Sequence, residues 1–406
     1  MKSNWQTTLW IMFAAQLLSA VGFSVIFPFL PLYVADLGSS TGTSLEFWAG
    51  MAFSAQALTM AIASPIWGSL SDRLGYKLMV ERAMYGGAVV LLLMGLARSA
   101  EQLVLLRAIQ GLITGTVSAA NALLAAVAPR ERMGYAMGAL QMGQWTGVAA
   151  GPLIGGVIAD AYGFHAPFFL TAALLLLSGV LVSLGVRGDA PRPPQPAAGP
   201  RPSMLAGWRA LVAAPGMALT YGLRFLSSLA GTMLLPFTPL FIQSLMHGDA
   251  RIGTFTGLVV AVASAAGTAT AIFFGRLGDR RGHRRVLIGC ALAAALCYLP
   301  QSLVREPWQL LALQALSGAA WGGITPALSA LLARYGGTGN EGAVYGLDNS
   351  IVAAARALAP LVGAGVVLAS DLRGIFVATA LVYALIAAIA ALRLPEPRPA
   401  PAMAER

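Results

Sequence analysis

Titratable chemistry is thin in this chain. Its 406 residues include only 16 Asp+Glu, three histidines and two cysteines. Charged residues make up 10% of the total, where a soluble domain carries roughly 25%. Cys290 and Cys297 lie seven positions apart on one predicted helix; at about 1.5 Å per residue that is roughly 10 Å, beyond the reach of a disulfide. His165, His247 and His283 all fall in predicted loops, and no Cys/His group has metal-ligand spacing. Nor is there a nucleophile–base pair or a phosphate-binding loop. These gaps leave enzymatic function without support and imply no cofactor. The net charge of +10 first suggests nucleic acid. The basic residues, however, are scattered between apolar runs, where a membrane protein uses them as orientation signals.

Apolar residues fill the chain instead, at 57% of the total with a mean hydropathy of +0.73. A hydrocarbon core of about 30 Å needs roughly 20 such residues per helix. Twelve runs meet that need, at about 7–34, 47–69, 78–97, 102–127, 133–159, 164–186, 215–245, 252–275, 286–304, 308–333, 343–369 and 374–392. The first is too long for the core of a signal peptide and is expected to remain as a helix. Between the sixth and seventh runs lies GDAPRPPQPAAGPRPS, Gly188 to Ser203, with six prolines and no apolar periodicity. It reads as an extended linker. The expected fold is an all-α membrane protein of twelve transmembrane helices in two pseudo-symmetric six-helix bundles, residues 1–187 and 214–406, joined by a linker at 188–213. With the N-terminus in the cytoplasm, 19 of the 26 Lys+Arg fall in cytoplasmic segments, four in outer loops and three inside helices. The positive-inside rule then places both termini and the linker in the cytoplasm.

The two halves repeat one another. FPFLPLY (Phe27 to Tyr33) returns as LPFTPLF (Leu235 to Phe241), 208 positions on. GSLSDRLGYK (Gly68 to Lys77) is matched at an offset of 207 by GRLGDRRGHR (Gly275 to Arg284). LVLLRAIQG and GPLIGG return as LLALQALSG and APLVGA. An even number of helices per half makes the copies parallel, related by an axis along the membrane normal. The paired prolines, Pro28 and Pro236 among them, predict bent outer tips on the first helix of each half.

GSLSDRLGYK resembles the cytoplasmic signature between helices 2 and 3 of the major facilitator superfamily, which also recurs between helices 8 and 9. The resemblance assigns a conformational hinge to Gly68, Asp72, Arg73, Gly75 and Lys77, and to Gly275, Asp279, Arg280 and Gly282. Gly68 and Gly75 are expected to allow a tight turn. Glu131 is a candidate acidic partner for Arg73 or Lys77. Tyr76 and His283 depart from the family's first basic position. LVLLRAIQG is similar to the superfamily's helix 4 motif, whose arginine, here Arg107, is implicated in proton coupling. The competing reading has Arg107 reaching the outer interface. GVAAGPLIGG resembles the antiporter motif of helix 5. Gly147, Gly151 and Gly155 recur every four residues for close packing, Pro152 bends the helix, and Gly156 completes the match. Ordinary small-residue packing is the competing reading.

The chain is thereby identified as a member of the twelve-helix drug:proton antiporters of that superfamily. The resemblance implies a monomeric secondary transporter of a bacterial inner membrane, exporting amphipathic small molecules in exchange for protons. The proton gradient is the energy source, and the bilayer replaces any nucleic-acid partner. A lipid or lysolipid flippase, or a metabolite carrier, on the same fold is the alternative. Asp348 is the candidate for the coupling proton, with a structural aspartate as the competing reading. Asp348 and Arg356 are eight apart, near one helix face. The superfamily's cavity helices carry Gln16, Phe23, Asn121, Gln141, Trp145, Tyr221, Arg224, Trp321, Asn349 and Arg356 as candidate ligand contacts. For each, a packing or lipid-facing role stands beside it.

Overall fold

Proline cuts the first helix of each half in two. In the computed structural model α1 (Trp5–Ile26) stops at Phe27-Pro28-Phe29, and α2 (Leu30–Leu37) restarts with Pro31 in its first turn. Proline lacks the N–H that a helix interior needs but is tolerated at a helix start. The Phe29 amide instead closes a tight turn onto the Ile26 carbonyl at 3.0 Å. The second half copies this. α8 (Met217–Met233) gives way to α9 (Thr238–Met246) around Pro236, with the Phe237 amide donating to the Leu234 carbonyl at 3.0 Å.

The structure describes residues 5–115, 120–121, 123–124, 127, 129, 132–186, 212–246, 251–336 and 341–395. At 64–65, 68–69, 71–73, 133–134, 341–343 and 345–346 it describes the backbone alone. The rest of the first half is α3 (Leu45–Leu74), α4 (Tyr76–Gly95), α5 (Ala100–Ile113), α6 (Met133–Tyr162) and α7 (Ala166–Gly185). The second half continues with α10 (Ile252–Arg281), α11 (His283–Tyr298) with its 3-10 extension Leu299–Leu303, α12 (Pro307–Gly336), α13 (Glu341–Ala369) and α14 (Gly374–Leu392). Among the described residues nine helices are long and apolar enough to cross a membrane, and none of the elements is a strand. All but two residues of the linker lie outside the description.

Packing repeats pair for pair. α1 lies on α6 and α7, α3 on α5, and α4 on α7; correspondingly α8 lies on α13 and α14, α10 on α12, and α11 on α14. In a bilayer such contacts rest on close fit and on hydrogen bonds between helices rather than on expulsion of water. Thr171 donates to the Gly22 carbonyl at 2.8 Å, and Thr270 to the Ala319 carbonyl at 2.8 Å. Each half buries its own aromatic core, with Tyr33 against Phe168 in the first and Phe241 against Phe376 in the second. The halves meet mainly along two pairs, α6 with α10 and α3 with α13, and α2 also touches α9.

The hinge signature is mostly helix. α3 runs through Gly68, Asp72 and Arg73 to Leu74, so Gly68 makes no turn; Gly75 alone does, at φ +94°. In the second copy Gly275, Asp279 and Arg280 lie inside α10, and Gly282 turns the chain at φ +92°. The side chains of Asp72 and Arg73, and all of Glu131, lie outside the described residues. The second basic position acts alike in both copies. Lys77 donates to the Ser183 carbonyl at 2.9 Å, in the last turn of α7. Arg284 donates to the Ala390 carbonyl at 3.0 Å and the Ala391 carbonyl at 2.6 Å, in the last turn of α14. Cations belong at helix C-termini, where unpaired carbonyls gather.

Candidate functional site

Two helical stripes define a cleft between the halves. On α6, Gln141, Trp145, Pro152 and Gly156 follow one another at spacings that keep one face. At its upper end, away from the termini, this stripe lies against α10. A Cβ on Gly156 would meet the Gly253 carbonyl oxygen at 2.5 Å, and one on Gly257 would meet the Pro152 carbonyl oxygen at 2.2 Å. On α13, Asn349, Arg356, Pro360 and Ala364 form the matching stripe. A Cβ on Gly50 of α3 would meet the Pro360 carbonyl oxygen at 2.9 Å. Below the two prolines the halves part. Trp145 is 62% exposed, Gln141, Asn349 and Arg356 are exposed, and Trp321 reaches in from α12 at 43%. The cleft is shut at the end opposite the termini and open toward the end that bears them.

The antiporter-like motif therefore does two jobs with two faces. Gly147, Gly151 and Gly155 seat α6 on α1, so closely that added Cβ atoms would strike Ala20, Ser24 and the Val25 carbonyl. Pro152 and Gly156 face the other half. A carboxylate completes the closure. Asp160, near the end of α6, accepts from the amides of Gly253 at 2.8 Å and Thr254 at 2.6 Å. These are free N–H groups in the first turn of α10, where a negative charge is favoured. Beside them Phe29, Leu32 and Ala159 pack with Phe164, Leu240 and Ile252, so the bent tips α2 and α9 join the seal.

Charges inside the bundle are handled one by one. Arg107 is 3% exposed, which excludes a reach to the outer interface. Its Nε donates to the Ala52 carbonyl at 2.9 Å and its Nη1 to Gln110 Oε1 at 2.8 Å, while Phe27 and Phe53 each present a ring 5.8 Å away. Asp348 does not share a face with Arg356. It is buried against α8, where its Oδ1 accepts from Arg224 Nε at 3.1 Å. Arg356 stands in the cleft with no hydrogen-bond or ion-pair partner among the described residues.

Three cavity candidates are packing residues. Tyr221 is 4% exposed, and its hydroxyl donates to the Val344 carbonyl at 3.0 Å, fastening α8 to α13. Gln16 is 2% exposed and donates to Gln144 Oε1, between α1 and α6. Phe23 is half-buried beside Gly87 of α4. In each case a polar or aromatic side chain found its partner on a neighbouring helix of its own half. Asn121 is half-buried, and residues 116–119 and 122 near it lie outside the description. Reasoning from sequence missed Asp160, although an aspartate closing an apolar helix was visible. It also missed the Arg224–Asp348 pair, whose members are 124 positions apart.

A model of the Major Facilitator Superfamily matches residues 12–267 and 220–405. The multidrug resistance protein MdtG of Enterobacter lignolyticus (strain SCF1) is 37% identical over 383 residues, covering 93% of this chain and 90% of that protein. MdtG of Serratia proteamaculans (strain 568) is 36% identical over 382 residues, covering 93% and 92%. Among solved structures, a bacterial homologue of the human lysosomal transporter Spinster, inward-facing and unoccupied, aligns with a TM-score of 0.77 at 17% identity, over 99% of this chain and all of that one. The nucleoside transporter NupG aligns with a TM-score of 0.77 at 14% identity, over 95% and 100%. Repeated bundles, a cleft on their shared axis and a match along almost the whole chain point one way: the protein belongs to the Major Facilitator Superfamily.

Proposed function

We propose that this protein exports amphipathic small molecules, drugs among them, in exchange for protons across a bacterial inner membrane. It works as a monomer, by rocking its halves about the cleft. One observation carries this reading: the cleft is shut around Pro152 and Pro360 at one end and open at the other over Trp145, Trp321, Asn349 and Arg356. Aromatic and amide surfaces bind amphiphiles with little geometric demand. The lysine and arginine distribution sets the open end in the cytoplasm, so the cleft faces the compartment from which an exporter loads. The relatives named multidrug resistance proteins support the cargo class.

Coupling is assigned to Asp348 and Arg107. A proton on Asp348 removes the charge that holds Arg224, loosening α8 from α13 on one side of the cleft. Arg107 ties α5 to α3 and so to one of the two surfaces that slide between the halves. Everted vesicles under an imposed pH gradient test both assignments. Wild type accumulates a fluorescent drug; Asp348→Asn and Arg107→Ala lose the gradient-driven part. Wild-type accumulation by both variants would remove these residues from coupling. Movement of a labelled lysolipid but no drug would favour the flippase.

A further inference from the structure

Between their second and third spans the two halves differ, and the repeat makes the difference legible. In the first half the groove between α3 and α4 is filled. Trp67 lies in it, its indole N–H donating to the Leu112 carbonyl at 2.6 Å, and the Arg82 guanidinium stacks 3.5 Å above the ring. Ile113 presses on Gly86, where an added Cβ would meet it at 2.4 Å. At an offset of 207 these positions become Phe274, Gly289, Ala320 and Ala293. Every one of the three filling side chains is smaller in the second copy.

The result is a cavity of about 450 Å³ between α10, α11 and α12, lined by Phe274, Leu277, Val286, Gly289, Cys290, Ala293 and Ala320, with Arg281 and Arg285 at its mouth. A Cβ on Gly289 would meet nothing within 4 Å. The rim has changed in the same sense. Leu74 and Leu78 of the first half correspond to Arg281 and Arg285 of the second. Both arginines are exposed and have no hydrogen-bond or ion-pair partner among the described residues. Around them, Arg280, Arg284 and His283 share the turn with one acid, Asp279, which lies 3.3 Å from His283. Two exposed guanidinium groups over an apolar slot, at the termini-bearing end of the bundle, match a phosphodiester with an acyl chain beneath it.

We propose that this groove is a binding site for an anionic phospholipid, its headgroup on Arg281 and Arg285 and one chain along Phe274, Leu277 and Ala293. The site lies on the outside of the second half, away from the central cleft, and does not depend on the cargo or direction of transport. A soluble phosphate satisfies the arginines but not the slot, so the lipid is the occupant.

Native mass spectrometry of the full-length protein, in micelles doped with phosphatidylglycerol or with phosphatidylcholine of the same chains, tests this. Phosphatidylglycerol is expected to stay bound under activation that strips phosphatidylcholine. Arg281→Leu/Arg285→Leu restores the residues of the first half and should weaken retention about thirtyfold, the effect of two basic side chains near an anionic surface. Gly289→Trp keeps both arginines but plugs the slot, and should abolish retention. Variants are compared only where elution profile and unfolding temperature match wild type, and the exposed arginines and the open space at Gly289 favour that match. Equal retention of the two lipids would overturn the proposal. So would undiminished retention by Gly289→Trp, or displacement by excess inorganic phosphate.

Discussion

Arg224 and Asp348 are a charge pair with little water around it, their side chains 15% and 6% exposed. Removing one partner of such a pair strands the other and costs about 3–5 kcal/mol. Arg224→Ala should therefore lower the unfolding temperature in detergent by several degrees, and Arg224→Ala/Asp348→Asn should recover most of it. If the single variant melts like wild type, the pair does not hold α8 to α13. Asp160 makes a different kind of contact, across the halves. Asp160→Asn keeps the shape but gives up the charge that favours it at the start of α10, so the closed end should open more often. Spin labels at Ser40→Cys and Leu303→Cys, on a background without Cys290 and Cys297, would report this as a longer mean distance. An unchanged distribution would mean that Asp160 bears no load. Neither contact was readable in the sequence. One joins side chains 124 positions apart, and the other joins an acid to backbone amides, which leave no mark in residue identity. Arg107, Trp145 and Arg356 drew attention because side chains with polar groups are rare enough inside a bilayer to question individually; the first is bonded to α3 and the other two are exposed in the cleft. Tyr221 and Gln16 misled for the same reason. Rarity says that a polar group has a partner, but not on which side of the helix.

At the scale of elements, length and glycine spacing carried furthest. The apolar runs located most of the spans because a bilayer dictates their length, but the fourth, expected over 102–127, stops as α5 at Ile113, where Thr114 is extended. Their ends were underestimated, since α3 and α10 extend past the apolar residues into the hinge signatures. Arg82, one of the 19 basic residues counted in cytoplasmic segments, sits nearly two turns inside α4. The antiporter motif was legible as one unit, but its division between two faces was not. That division separates two outcomes. Gly151→Ala drives a Cβ into Ser24 and Val21 of its own half, so it should lower stability and transport together. Gly156→Ala would put a Cβ 2.5 Å from a carbonyl oxygen of the opposite half. It should leave the folded protein intact, cut transport at least tenfold, and hold the outer end apart in the spin-label measurement. Equal effects of the two variants on unfolding temperature would argue against the division. The proline breaks were expected, and they appear as complete interruptions, with α2 and α9 as separate short helices. Pro28→Ala/Pro236→Ala should insert normally but turn over more slowly; unchanged turnover would make the prolines inherited packing.

At the scale of the whole molecule, the 207-residue repeat was the most informative feature of the sequence. It divides the chain into two copies before any helix is placed, and helix contacts in the first copy have counterparts in the second. Covalent continuity between the halves then contributes little to the cleft, whose walls meet through α6 with α10 and α3 with α13. Cleavage at a protease site inserted in the linker should leave drug accumulation within about twofold of the uncut protein; loss of transport on cutting would give the linker a mechanical role. The ties made by Lys77 and Arg284 bear on how force travels. Each fastens the start of its half's third span to the end of the sixth. That closes each half into a hoop rather than a row of staves. A hoop resists shear among its own members, so torque applied at the cleft wall turns it as one piece. The compliance needed for alternating access is thereby concentrated at the two sliding seams and the two proline breaks.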